Sequence, residues 1–318
     1  MITGSAQPQI TRQSLAPVKI SFPEPAEQER IVAILDEAFA GLAAATANAD
    51  KNLKNARELF ESQLQATFTR HDAEWGQCSL DQICKFTSGG TPSKANLSYW
   101  NGDVPWVSGK DMKSDRISDA ALHISRKAVE VSATRIAPVG SLLILVRGMG
   151  LANGIALAEV ISPCAFNQDI KAILPNQEVN SRFLLWALRS QFPRFPELLS
   201  NAAHGTLKVE MEALRNVLLR IPPFQIQEKI VSQIDTLAVE TETLARLYLR
   251  KADALMNLKQ ALLRKAFSGE LTKAVQADIT SHATNVSTDI RRDTAMVIAL
   301  AYERHSRALA RCENPHEY

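Results

Sequence analysis

The chain holds 318 residues, 46% hydrophobic and 22% charged, with a formal net charge of +2. That size favours about two domains with room for a core, and the composition points away from disordered, collagen-like and disulfide-scaffold classes. No apolar run approaches the ~20 residues of a membrane span, the N-terminus lacks a signal-peptide layout, and Cys78, Cys84, Cys164 and Cys312 form no C-x-x-C pair. Neither a zinc site nor a disulfide framework is expected, and a reducing cytoplasm is the expected location.

After Pro25 the chain is free of proline until Pro92, and apolar or small residues fall at Ile31, Leu35, Ala38, Leu42, Ala45, Ala49, Ala56 and Leu59. This alternating spacing is the seam of a coiled coil. It predicts one helix over residues 24–70, opened by Pro25 as a good first-turn residue and about 65 Å long at its rise per residue. Residues 76–222 read differently. Short strand-like runs occur at Val104–Val107, Gly140–Val146, Gly154–Leu157 and Ile170–Leu174, with turn signals at Ser88–Pro92 and Asn101–Asp103. One helix is predicted at Ser181 to about Gln191, which makes the centre an α+β domain.

A second long helix is predicted over residues 223–269. Ile230, Ile234, Leu237, Thr241, Leu244, Tyr248, Lys251, Leu255, Leu258 and Leu262 carry the same seam, and Ser268-Gly269 ends it. A domain between two such helices lets the chain reverse, so an antiparallel coiled coil is expected. The alternative, each seam packed on a domain core, is weaker because helices this long outrun one small domain. Residues 273–318 stay unassigned. Within them Asp289 to about Cys312 reads as helical: a packing helix, a partner contact or a frayed tail.

Residues 85–222 hold 16 Lys/Arg against 11 Asp/Glu, and the remainder holds 20 against 23. A basic centre between slightly acidic flanks suits a polyanion at the centre, although ordinary surface variation produces such a split equally well.

The two helices open on a repeated segment. Without a gap, Leu15, Val18, Pro23, Gln28, Glu29, Ile31, Val32 and Asp36 match Leu214, Val217, Pro222, Gln227, Glu228, Ile230, Val231 and Asp235, an offset of 199 residues. The register holds at Leu59/Leu258, Leu64/Leu263 and Phe68/Phe267. Two copies are too few for a solenoid, so they frame a different domain. Ile226 stands where the first copy has Glu27.

These segments, with Ser88-Gly-Gly-Thr-Pro-Ser-Lys94, Tyr99–Trp106, Ser108–Lys113, Arg147-Gly148, Asn167-Gln-Asp169 and the closing Leu262–Leu271, resemble the specificity subunit of type I restriction–modification systems. The resemblance spans roughly residues 4–272. It implies a target-recognition domain at 76–222 between two conserved helices. It also implies a DNA-binding, non-catalytic subunit that docks methyltransferase subunits on its helices and, through them, restriction subunits. S-adenosylmethionine would belong to the methyltransferase, and ATP and Mg²⁺ to the restriction subunit, with no cofactor in this chain. Gly4–Ile10 aligns with Ala203–Val209, so residues 1–23 read as the tail of a first recognition domain and the chain as a half-length subunit. A homodimer would then supply two recognition domains and a symmetric target. A silent, truncated copy that binds the methyltransferase without reading DNA is the alternative.

Candidate DNA-binding residues are Thr91, Lys94, Lys110, Lys113, Arg147, Asn167, Gln168, Thr206 and Lys208. The Ser88–Lys94 glycines admit a phosphate to backbone N–H groups or simply make a tight turn. Arg147 has the fork to reach guanine or to form a structural ion pair. Asn167 and Gln168 can read adenine or satisfy a turn, the turn being the better reading. Lys110, Lys113 and Lys208 suit phosphates. Gln28, Glu29, Ile31, Gln227, Glu228 and Ile230 are the candidate partner-binding residues, with capping an adequate account of Glu29 and Glu228. Trp100 and Trp106 read as core. Asn314–Tyr318 lacks the second proline and glycine-rich loop of an adenine methyltransferase, Asp169-Ile-Lys171 lacks the companion carboxylate of a nuclease, and the six histidines show no metal spacing.

Overall fold

The computed structural model describes residues 10–19, 22–69, 75–194, 196–201 and 206–271. In chain order the elements are α1 (Arg12–Leu15), α2 (Pro25–Thr69), β1 (Gly76–Ser79), α3 (Leu80–Ile83), β2 (Cys84–Ser88), β3 (Val104–Val107), β4 (Arg116–Ile117), β5 (Leu122–Ile124), α4 (Arg126–Val131) and β6 (Ile136–Ala137). They continue with β7 (Leu142–Leu145), β8 (Leu157–Val160), β9 (Cys164–Phe166), β10 (Ile170–Pro175), α5 (Ser181–Gln191), β11 (Leu199–Asn201), β12 (Leu207–Val209), α6 (Met211–Arg215), β13 (Leu218–Ile221) and α7 (Phe224–Phe267). The fold is thus a mixed α/β domain flanked by two long helices. The terminal expectations, on residues 4–9 and 273–318, lie outside the described residues.

The chain divides into two compact units, Met1–Leu53 with Arg246–Tyr318, and Lys54–Ala245. The first holds the opening half of α2 and the closing half of α7. There Ala49 and Tyr248 are buried, and Lys259 Nζ stands 5.1 Å from the centre of the Phe39 ring. Helix α7 ends in a Schellman turn: Glu270 N–H donates to Lys265 O at 3.0 Å and Gly269 N–H to Ala266 O at 3.3 Å. Gly269 takes φ 75°, a conformation open to glycine at no steric cost. By length and composition α2 is also apolar enough to cross a bilayer, with mean hydropathy 1.4 over 18 residues. This corrects the expectation that no segment passes that test. Asp36 and Glu37 break the visible run, and many alanines raise its mean.

The second unit holds the mixed domain with the closing turns of α2 and the opening turns of α7. A five-stranded sheet runs in the order β2-β10-β7-β8-β4, and a four-stranded one in the order β5-β3-β9-β6. Strand β7 is central and buried along its whole length, which is why Leu142–Leu145 is a continuous apolar run rather than an alternating one. Helix α5 opens on Asn180, whose side chain accepts Phe183 N–H at 3.1 Å; it is buried almost all round, with Phe183–Leu188 apolar and Arg182 and Ser190 buried beside them. Phe60 of α2 meets Trp186 edge-on at 5.7 Å, and Phe68 meets Phe183 at 5.4 Å. Each such ring or leucine, buried, contributes about 1.5–3 kcal/mol. One strand differs from expectation. Gly154 takes φ 106° at the end of a 3-10 turn over Met149–Asn153, so β8 begins only at Leu157.

Candidate nucleic-acid interface

Strand directions bring the candidate loops to one end of the five-stranded sheet. Ser88 at the end of β2 pairs with Lys171 near the start of β10, and Leu145 at the end of β7 pairs with Ile170. The segments beyond, 89–94, 146–150 and 167–169, therefore emerge together. Strand β4 runs parallel to β8, so the 108–115 segment enters from the same end. Asn167 N–H donates to Val107 O at 3.0 Å, placing the start of that segment beside the 167–169 turn. Arg147 forms an antiparallel bridge with Lys208, and Val209 N–H donates to Val146 O at 2.9 Å. Five sequence-distant segments thus share one edge, and each carries candidate DNA-binding residues.

Within this edge the side chains divide. Lys94, Lys110, Lys113, Arg147 and Gln168 are exposed. Thr91 Oγ1 donates to Gln168 Oε1, which joins the first and fourth segments. Asn167 is 8% exposed; its Oδ1 accepts Asp169 N–H at 3.2 Å and its Nδ2 donates to Asp169 Oδ2 at 3.4 Å. It builds the turn rather than offering an amide to adenine. Lys208 Nζ sits 2.8 Å from Glu210 Oε1, and that hydrogen bond, with one from Ser200, holds the Glu210 carboxyl below its ordinary range. Lys208 is therefore held in an ion pair. Thr206 precedes β12, whose Leu207 O accepts Gly148 N–H at 3.2 Å. Trp106 is 6% exposed and donates through Nε1 to Gly90 O at 3.0 Å, as a core residue. Lys171, weighed in the sequence only as half of a nuclease motif, donates through Nζ to Ser88 Oγ at 2.6 Å, and Met149, two residues after Arg147, is 83% exposed.

Asp111 organises the lysine-bearing loop. Its Oδ2 accepts Ser108 N–H at 2.9 Å and Ser108 Oγ at 2.8 Å, and its Oδ1 accepts Ala121 N–H at 3.0 Å. Burial raises the carboxyl, but these hydrogen bonds and the charge of Lys113 together outweigh it and leave the group below its ordinary value. A depressed carboxyl stabilises the folded loop above its unfolded value and loses that contribution as pH falls through the folded one. Hydrogen exchange, corrected for intrinsic rates, should show the Ser108 and Ala121 amides opening only in acid below the ordinary carboxylate range. Asp111→Asn should open them at neutral pH.

The repeated helix starts sit in unlike surroundings. Gln227 is fully buried; its Oε1 accepts Asn180 N–H at 2.8 Å, and its Nε2 donates to Glu178 O and Pro222 O at 2.9 Å each. Gln28 Nε2 makes the matching bond to Pro23 O at 2.7 Å, but its side chain is exposed. Ile230 is 8% exposed and packs in the core. Gln227 and Ile230, expected to face a partner, are engaged with the chain's own domain, whereas Glu29 and Glu228 are exposed and Ile31 is half-buried. Asp235 accepts Arg182 Nε and Trp186 Nε1, each at 2.8 Å, where Asp36 is exposed. Leu214 and Val217 are buried, but their counterparts Leu15 and Val18 are 52% and 39% exposed. Helix α1 itself stands at the repeat position of α6.

Residues 72–248 match the family model described as the type I restriction modification DNA specificity domain. The chain belongs to that family. The specificity subunit of the EcoR124I/EcoR124II type I restriction enzyme of Escherichia coli is 28% identical over 209 residues, covering 65% of this chain and 51% of that protein. The MjaIX specificity subunit of Methanocaldococcus jannaschii is 28% identical over 164 residues, covering 50% of this chain and 37% of that one. The chain thus spans about half the length, or less, of these curated relatives. Among solved structures, a chain from a type I restriction–modification system studied for complex assembly and conformational transition aligns with TM-score 0.70 at 22% identity, over 84% of this chain and 66% of its own. The HsdS subunit from Thermoanaerobacter tengcongensis aligns with TM-score 0.52 at 22% identity, over 85% and 65%. These likenesses establish the fold. The matched residues take in the central domain and the second of the two helix starts.

Proposed function

We propose that this chain reads DNA sequence for a type I restriction–modification complex, with the 89–94, 108–115, 146–150, 167–169 and 206–208 segments as its contact edge. The convergence of these five segments carries the reading. Lys94, Lys110 and Lys113 serve phosphates, which fix register without reading sequence, and Arg147 and Gln168 are placed for base edges. The chain performs no chemistry. Methyltransferase subunits dock on the helices and bring S-adenosylmethionine; restriction subunits bring ATP and Mg²⁺; a cytoplasmic location suits this work.

The exposed first copy supports a further part of the reading. Leu15, Val18, Gln28 and Asp36 repeat the residue types that hold the recognition domain in the second copy, so a second recognition domain docks there. A doubled mass within the methyltransferase complex would show that a second copy of this chain supplies it, and a single copy would rule the homodimer out.

Expressed with its cognate methyltransferase subunit, the chain should direct adenine methylation to a defined motif, and Arg147→Ala should relax that motif at one position. Methylation with no motif dependent on this chain overturns the reading in favour of a silent, methyltransferase-binding protein.

A further inference from the structure

The loop carrying Lys110 and Lys113 is held at its two ends by different means. Asp111 clamps the near end to Ser108 and Ala121. The far end closes on Asp115, which meets α5, and Arg116, which reaches α7. Asp115 Oδ2 accepts Arg182 Nη2 at 2.6 Å, and the same guanidinium donates through Nε to Asp235 Oδ1 at 2.8 Å. Arg116 Nη2 reaches the second oxygen, Asp235 Oδ2, at 3.1 Å. Trp186 Nε1 shares Asp235 Oδ1 at 2.8 Å, and Arg182 lies over the Trp186 ring at 4.6 Å from its centre. One carboxylate of α7 therefore gathers two donors from α5 and one from the loop's closing residue.

We propose that Asp235 is a positioning residue for the DNA-facing loop, setting through Arg182 and Arg116 where Lys110 and Lys113 stand. The inference rests on the DNA-reading function above. Arg182 is 9% exposed at its side chain and lies between two carboxylates. Charge-assisted bonds of this kind are short and directional, and a buried network that loses one member is worse than none. Without the Asp235 charge, Arg182 turns wholly to Asp115 and Arg116 loses its carboxylate. The far end of the loop then keeps its pairing to β8 and the Asp115–Arg182 bond but loses its tie to α7, while the Asp111 clamp still holds the near end. Because Asp235 belongs to α7, the lysine loop takes its position from a helix and not from the sheets alone.

The test is the salt dependence of binding between the full chain and a short random-sequence duplex. The slope of log affinity against log salt counts phosphates neutralised, so losing two contacts flattens it by about 2. Asp235→Asn should flatten it by that amount, as should Lys110→Ala with Lys113→Ala, and the three changes together should flatten it no further. Asp235→Glu should keep most of the slope. A purely structural role for Asp235 would lower the folded fraction and the apparent affinity without moving the slope. An unchanged slope in Asp235→Asn, beside a flattened one in the lysine variant, overturns the inference and leaves the DNA reading standing. An unchanged slope in the lysine variant removes the loop from the interface and overturns both. If Asp235→Asn does not fold, Arg116→Ala takes its place, its side chain being 49% exposed, and the same comparison decides.

Discussion

Gln227→Ala should destabilise the chain by about 3 kcal/mol, and Gln28→Ala by less than about 0.5 kcal/mol, although the two glutamines occupy matching places in the repeat. Both donate to the carbonyl of the proline five residues earlier. Only Gln227 is fully buried and also holds Asn180 N–H and Glu178 O. Removing it unpairs three backbone groups, one in a buried and two in part-buried contacts, at about 1 kcal/mol each. It also loosens the N-cap of α5, because Asn180 is the cap. Urea unfolding at constant slope separates the two variants. Equal losses at both sites would mean that the bond to the proline carbonyl carries the energy and that the lock on the recognition domain carries none.

The helices were legible because their signals are local and repeated. A seam of apolar and small residues, Pro25 at one start and Gly269 at one end, set limits that the structure reproduces at Pro25–Thr69 and Phe224–Phe267. The sheets were less legible. Strands β4 and β6 have two residues each, too few for any periodicity. Strand β1 finds its partner in β13, with Gly76 opposite Ile221, a pairing that no local pattern encodes. The run at Gly154–Leu157 has strand-like residues, yet the positive φ of Gly154 forbids a strand there.

Much the same divides the site. Its loops were found through glycines and basic residues, but their pairing depends on which strands run beside which. That Asn167 is turned inward follows from the 167–169 turn and not from its residue type. The Lys208–Glu210 pair was foreseeable, since Glu210 lies two residues on, just past the end of β12, where extended backbone keeps it on the same face. The Asp235 network left one trace in the sequence, the Asp36/Asp235 match. Its partners Asp115, Arg116 and Arg182 look like ordinary surface charges until the fold closes around them.

Gly89→Ala should cost about 3 kcal/mol in stability and remove most of the DNA affinity, because the backbone at Gly89 approaches another segment too closely for a side chain. A Cβ there would overlap Phe166 O, Asn167 O and the Phe166 ring, all in rigid surroundings: Phe166 is fully buried, and its carbonyl accepts Gly90 N–H at 2.9 Å and Thr134 Oγ1 at 3.2 Å. Neighbouring Gly90 is equally confined, since an added Cβ would stand 2.5 Å from Ala133 C and 2.6 Å from Thr134 N. The segment after β2 must therefore move away from the 167–169 turn. That parts Thr91 from Gln168 and displaces Lys94 from the edge it shares with Arg147. Gly41→Ala is the control. It lies in α2 with nothing within 4 Å of its added methyl, so it should stabilise by about 1 kcal/mol through helix propensity and leave DNA binding as it was. Thermal unfolding and duplex binding measured on both variants decide the matter. A Gly89→Ala chain that melts and binds like the unaltered protein would mean that the two segments do not meet, and the shared contact edge would lose the joint on which it depends.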